Sequence, residues 1–124
     1  VFATDVSDAS GMSLLNVGER CWSPEMLAAC GIDPAMMPKL LESTEVSGTV
    51  SAAGAAATGL LEGTPIIAGG GDQAAGAVGC GIVRSGVVSC TLGTSGVLFA
   101  HADSYNPDPE GRLHTFCAAV PNKW

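Results

Sequence analysis

The residues best placed to do chemistry are Ala68-Gly69-Gly70-Gly71-Asp72-Gln73, where an apolar run empties into three glycines and a carboxylate. Three consecutive glycines strip side chains from the backbone, so a ligand can approach it closely. In open α/β sheets ligands settle outside the carboxyl ends of strands, which is where this pattern puts Asp72. A carboxylate there can orient and deprotonate a hydroxyl. The same residue type also suits a plain helix N-cap, accepting backbone N–H bonds for a gain of about 1 kcal/mol. Both readings of Asp72 are open on the pattern alone.

A second candidate is Thr91-Leu92-Gly93-Thr94-Ser95-Gly96. A tight turn of this composition offers backbone N–H groups and two hydroxyls, the donors an anionic phosphate needs. Gly and Ser are also ordinary turn formers, so a simple hairpin would use the same residues. The GxxxxGK[ST] spacing and its lysine are absent, which excludes a Walker A loop.

The elements that would position these residues can be read in outline. Val1 to Val17 passes from Val1-Phe2-Ala3 to polar Thr4, Asp5, Ser7, Asp8 and Ser10, the texture of an interrupted strand followed by a loop. Ser23-Pro24-Glu25 opens a short helix with a cap, a proline at the first helical position and an acid in the first turn, and Gly31 stops it. Pro34 and Pro38 make Asp33 to Leu41 a helical turn and linker. Val46 to Val50 reads as a short strand, Ser51 caps a helix over Ala52 to Thr58 closed by Gly59, and Pro65 to Ala68 reads as a buried parallel strand. Asp72 then opens a helix over Gln73 to Gly79. Beyond it, Gly86 to Thr91 and Gly96 to His101 form a hairpin pattern through Leu92-Gly93-Thr94-Ser95, with a domain boundary near Val83. Ala102 to Gly111 is a polar loop, and His114 to Val120 reads as a further strand.

Composition narrows the function classes. The chain has 124 residues, 47% of them hydrophobic, which allows one ordinary domain but no complete two-domain enzyme. Seventeen glycines and only 5% aromatics favour α/β packing over a β-sandwich. A net charge of −7 with five Lys and Arg argues against nucleic acid as a partner. No apolar run is long enough to span a membrane and no signal peptide is evident, so a cytoplasmic location is expected. Cys21, Cys30, Cys80, Cys90 and Cys117 lack the spacing of a zinc site and read as free thiols packed as small buried hydrophobes. His101 and His114 stand apart from other ligand types and read as packed or surface residues.

Taken together the motifs resemble the FGGY family of carbohydrate kinases. The matching pieces are Ala3 to Gly11, Trp22-Ser23, Gly48 to Gly59, Ile67 to Gly79, Ser89 to Gly96, and Leu113-His114-Thr115-Phe116-Cys117 with Val120-Pro121. The AxDxSxASG and LHTFC segments look most like the xylulokinase branch. The resemblance implies an actin-like, ribonuclease H-like α/β fold of two domains, with sugar and MgATP in the cleft between them. Residues 1–82 would then be the later part of the sugar-binding N-terminal domain, and residues 83–124 the start of the nucleotide-binding C-terminal domain.

The reaction implied is transfer of the γ-phosphate of ATP to a sugar hydroxyl, with the pentulose D-xylulose the expected acceptor and Mg2+ the expected cofactor. Asp72 matches the family's catalytic base, Gln73 a neighbouring sugar contact, and Gly93, Thr94 and Ser95 the loop against the ATP phosphates. Phosphoryl transfer asks mainly for alignment and charge neutralisation, which one carboxylate and a set of donors can begin to supply. Two family features are missing: the Asp-Gly-Thr hairpin whose acid helps hold magnesium, and the glycine-rich adenosine site. Met12-Ser13 also departs from the pattern, where a threonine is expected. An internal piece of a kinase is therefore expected, inactive by itself and prone to homo-oligomer formation through uncovered sheet edges. Two alternatives remain: a non-catalytic actin-like domain that binds nucleotide or protein, and a family member acting on another sugar or polyol.

Overall fold

The computed structural model describes residues 1–124. In chain order the elements are β1 (Ala3–Asp5), α1 (Val6–Ala9), a 3-10 turn (Ser10–Met12), β2 (Leu15–Asn16), β3 (Cys21–Trp22), α2 (Pro24–Cys30), a second 3-10 turn (Pro34–Met36), β4 (Lys39–Leu41), β5 (Val46–Thr49), α3 (Ala52–Thr58), β6 (Pro65–Ile67), α4 (Asp72–Gly79), β7 (Val88–Leu92) and β8 (Gly96–Ala100). The strands pair two by two: β1 with β4 in parallel, and β2 with β3, β5 with β6 and β7 with β8 antiparallel.

Local signals set the helices. Ser23 Oγ accepts from Met26 N–H at the start of α2, and Ser51 Oγ accepts from Gly54 N–H at the start of α3. Gly31 and Gly59 close the two helices in left-handed backbone, a conformation that costs glycine nothing. The hairpin β7–β8 has the expected turn, with Leu92 opposite Gly96.

Four expectations are corrected. The N-terminal stretch is not a strand and loop but β1 followed at once by the single-turn helix α1, because the Asp5 carboxylate accepts from Ser7 N–H and Asp8 N–H and starts the turn. Lys39 to Leu41 is a strand, held beside β1. Pro65 to Ile67 runs antiparallel to β5 and is exposed, Ile66 by 47% and Ile67 by 55%, where a buried parallel strand was expected. The cause lies in the connection. Val50 N–H donates to Thr64 O and Gly63 N–H donates to Val50 O, both at 2.9 Å, so the chain is pinched shut beyond the strand ends. Helix α3 is an excursion from that closure and not a crossover, and the returning strand must reverse direction.

The fourth correction is at residues 114–120, which form no ladder. They are tied by Ser10 Oγ, which accepts from Cys117 N–H at 3.0 Å, and by Lys123 O, which accepts from Ala118 N–H at 2.8 Å. A side chain and a local turn here satisfy amides that a strand would give to a neighbour.

The core is small and lies around α1. Val6, Ala9, Leu15 and Cys117 form it, with Val17, Trp22, Leu40 and Trp124 packed against its rim. Arg20 locks the rim: its guanidinium forms a two-point pair with Glu42 at 2.7 and 2.8 Å, donates to Lys123 O, and lies 5.1 Å from the centre of the Trp124 ring. Ala102 and Trp124 exchange backbone bonds at 2.7 and 3.0 Å, which returns the end of the chain to this face.

Only Cys117 of the five thiols is buried, at 1% exposure, whereas Cys21, Cys30, Cys80 and Cys90 are exposed. That corrects the expectation of five buried thiols and separates them by reactivity. Burial, above all, pushes the Cys117 thiol above its ordinary pKa, so little thiolate forms near neutral pH. Maleimide labelling of the native chain is expected to modify the four exposed thiols well before Cys117, with the fifth adduct appearing only on unfolding. Equal labelling rates, read site by site by peptide mass spectrometry, would contradict this packing. His101 is buried with neither ring nitrogen hydrogen-bonded, while His114 lies at the surface beside Phe116.

Candidate active site

The glycine-rich segment is suspended between two serines. Ala68 N–H donates to Glu45 O, and Gly69 N–H donates to Ser43 O at 3.0 Å as the β6 strand ends. Gly69 then turns through φ +86°, a left-handed value that side chains resist. Gly71 N–H donates to Ser7 Oγ at 3.0 Å, which joins the segment to α1. The approach is close on both sides. A Cβ at Gly70 would lie 3.3 Å from Ser7 Oγ and 3.5 Å from Ala119 Cβ, and one at Gly71 would lie 3.4 Å from Asp8 Cα.

This geometry decides one alternative for Asp72. The N-cap of α4 is Gly71, whose carbonyl accepts from Ala75 N–H, and no side chain caps the helix. Asp72 is the first helical residue. Its Oδ1 accepts only from the adjacent Gln73 N–H, at 2.7 Å, and the side chain is exposed. The ordinary N-cap reading is therefore corrected: the carboxylate stands at the positive end of a helix, with acceptor capacity left for a ligand.

Asp72 and Gln73 line a cavity of about 200 Å³ together with Gly76, Ala77, Cys80, Ser89 and Thr91. Helix α4 supplies one wall and strand β7 the other. The cavity thus faces an acid and an amide toward two hydroxyls. Ser89 and Thr91 share a face of β7 through the two-residue alternation of a strand. Gly93, Thr94 and Ser95 lie just beyond, exposed at the tip of the hairpin and outside the cavity wall. Gly93 N–H donates to Ser95 O at 2.9 Å and is spent inside the turn.

Sequence reasoning passed over the buried partners of this site. Asp5, Ser7 and Ser43 are each less than a tenth exposed and meet beneath the glycines. Their signal was present in Asp5-Val6-Ser7-Asp8, an acid two and three residues before the amides it caps. Ser89 and Thr91 lie within the Ser89 to Gly96 motif but were not assigned to the site, and Cys80 carried no signal, since the place of all three depends on how the hairpin packs. No group of three or more His, Cys, Asp or Glu side chains converges anywhere in the chain, and no helix is long and apolar enough to cross a membrane.

A mixed helix and strand chain with a glycine-suspended carboxylate facing a β-hairpin has clear relatives. The N-terminal domain of the FGGY family of carbohydrate kinases matches residues 1–79, and the chain belongs to that family. It is 45% identical over 123 residues to the xylulose kinase of Escherichia coli (strain K12), which covers 99% of this chain and 25% of that protein. It is also 39% identical over 115 residues to a glycerol kinase of Alkalilimnicola ehrlichii, covering 93% of this chain and 22% of that protein. The crystal structure of a xyloylose kinase from Brucella ovis superposes with a TM-score of 0.94 at 43% identity, over 99% of this chain and 25% of that one. The fold is therefore that of the sugar kinases, and the chain spans about a quarter of the length of the relatives it matches.

Proposed function

We propose that in the whole protein the cavity between α4 and β7 is where a sugar hydroxyl meets the γ-phosphate of ATP, with D-xylulose as the sugar. The observation that carries this reading is Asp72: an exposed carboxylate, free of capping duty, on a rigid helix start beside Gln73 and opposite two hydroxyls. Asp72 is the base that takes the proton as the sugar oxygen attacks phosphorus, and Gln73 holds a neighbouring sugar hydroxyl. Similarity to xylulose kinases over nearly the whole chain supports the choice of sugar.

On the nucleotide side, the hairpin tip brings Thr94 and Ser95 donors toward the phosphates. Gly93 serves by leaving the turn open: its amide is engaged internally, and a Cβ there would meet only Ser95 O, at 3.9 Å. In this reading residues 1–82 serve the sugar and residues 83–124 begin the nucleotide domain. The cavity's donor set is one carboxylate among hydroxyls and an amide. It suits a magnesium ion that keeps its waters and arrives on the nucleotide phosphates, there to neutralise charge, and no residue of this chain is assigned to it.

The test is ATP turnover by the whole protein with a panel of acceptors. D-xylulose is expected to stimulate ADP release most, by kcat/KM. No stimulation by any sugar or polyol would overturn the kinase reading, and a higher kcat/KM with glycerol would overturn the choice of D-xylulose while leaving the chemistry.

A further inference from the structure

Asp5 is 3% exposed and takes part in no ion pair; its carboxylate is met by hydrogen-bond donors alone. Oδ2 accepts from Ser7 N–H at 2.8 Å, from Ser7 Oγ at 2.6 Å and from Ser43 Oγ at 2.6 Å, and Oδ1 accepts from Asp8 N–H at 3.0 Å. A serine hydroxyl has one proton to give. Ser7 gives that proton to Asp5, so its oxygen can only present lone pairs to its other neighbour. That neighbour is Gly71 N–H, at 3.0 Å. Gly71 caps α4 and precedes Asp72.

We propose that Asp5 and Ser7 are a positioning pair for Asp72: the buried carboxylate sets the Ser7 hydroxyl as an acceptor, and that acceptor fixes the start of α4. The proposal rests on the reading of Asp72 as the base. Its physical value lies in rigidity. The glycine segment has no side chains of its own to hold it, so the direction of the Asp72 carboxylate depends on where Gly71 is anchored. Displacing a reacting group by about 1 Å can cost about 10²-fold in rate. Ser43 supplies the internal comparison, because it holds Gly69 through its backbone carbonyl and touches Asp5 only through its hydroxyl.

The experiment compares Ser7→Ala with Ser43→Ala in the whole protein. Each removes one hydroxyl bond to Asp5 Oδ2, and Ser7→Ala should lose somewhat more thermal stability than Ser43→Ala because it also leaves the Gly71 N–H without its acceptor. Only Ser7→Ala takes the acceptor from Gly71. It is expected to lower kcat about tenfold or more relative to Ser43→Ala, with KM for ATP within about twofold. In an Asp72→Asn background the same Ser7→Ala change is expected to cost less than about twofold, since no base remains to be placed.

Equal kcat for the two serine variants, or a tenfold loss that persists in the Asp72→Asn background, overturns the positioning role while Asp72 keeps its own. If Asp72→Asn alone retains kcat, the base reading fails, and this inference fails with it. Should Ser7→Ala not fold, Ser7→Cys puts a weaker acceptor in the same place. It is expected to lower kcat and speed hydrogen exchange at the Gly71 amide, and a variant unchanged in both overturns the proposal.

Discussion

Asp72→Asn is expected to lower kcat for sugar phosphorylation in the whole protein by a factor of about 10² or more, while unfolding changes by under about 1 kcal/mol. The separation comes from the geometry of α4. An asparagine Oδ1 can accept the Gln73 N–H bond that Asp72 makes now, and Gly71, not Asp72, caps the helix. What is lost is a negative charge near the helix N-terminus, about 0.3–1 kcal/mol at an exposed site. Asp72→Ala should therefore destabilise only slightly more than the asparagine, since no cap is removed. A true N-cap would behave differently, with alanine costing about 0.5–2 kcal/mol and asparagine almost nothing in either assay. Acceptor-dependent ADP release and thermal melts of the three forms decide the matter. An asparagine variant with near wild-type kcat would remove Asp72 from the chemistry.

The parts of this fold that could be read from sequence are those whose causes are local. Ser23-Pro24 with Gly31, and Ser51 with Gly59, bound their helices correctly because a cap acts within four residues of itself. The β7–β8 hairpin was legible for the same reason, a turn between two β-rich runs. Strand β6 was misread because Pro65-Ile66-Ile67 is apolar whichever neighbour it takes, and the pairing was decided by the Val50, Gly63 and Thr64 backbone bonds. Residues 114–120 were misread because the Cys117 amide is satisfied by Ser10, more than a hundred positions earlier in the chain, and the Ala118 amide by Lys123 in a local turn. In the site, Asp72 and Gln73 stood out through the three glycines before them. Asp5, Ser7 and Ser43 did not: Asp5-Val6-Ser7-Asp8 carries a local capping pattern, but nothing in the sequence ties it to Ser43 or to the glycines, which it meets 38 and 64 positions later.

That cluster carries the largest stability effect expected in this chain. Asp5→Ala should destabilise it by about 3–5 kcal/mol, because two hydroxyls and two amides lose an acceptor in a site from which water is largely excluded. Each buried donor left unpaired costs about 1–3 kcal/mol, and the hydroxyls recover part of that by rotating to nearby carbonyls. Asp5→Asn should cost far less, about 1–2 kcal/mol. The asparagine oxygen will take the Oδ2 place, where Ser7 N–H, Ser7 Oγ and Ser43 Oγ all donate, and its amide will take the Oδ1 place, where only the Asp8 N–H bond is lost. The reverse orientation would set an NH2 group against three donors and is excluded by that clash of like groups. Denaturant unfolding of the wild type, Asn and Ala forms measures the order directly. If alanine proves no worse than asparagine, then Asp5 is not the acceptor that holds α1, Ser43 and the glycine segment together, and the suspension of Asp72 from α1 must be explained by packing alone.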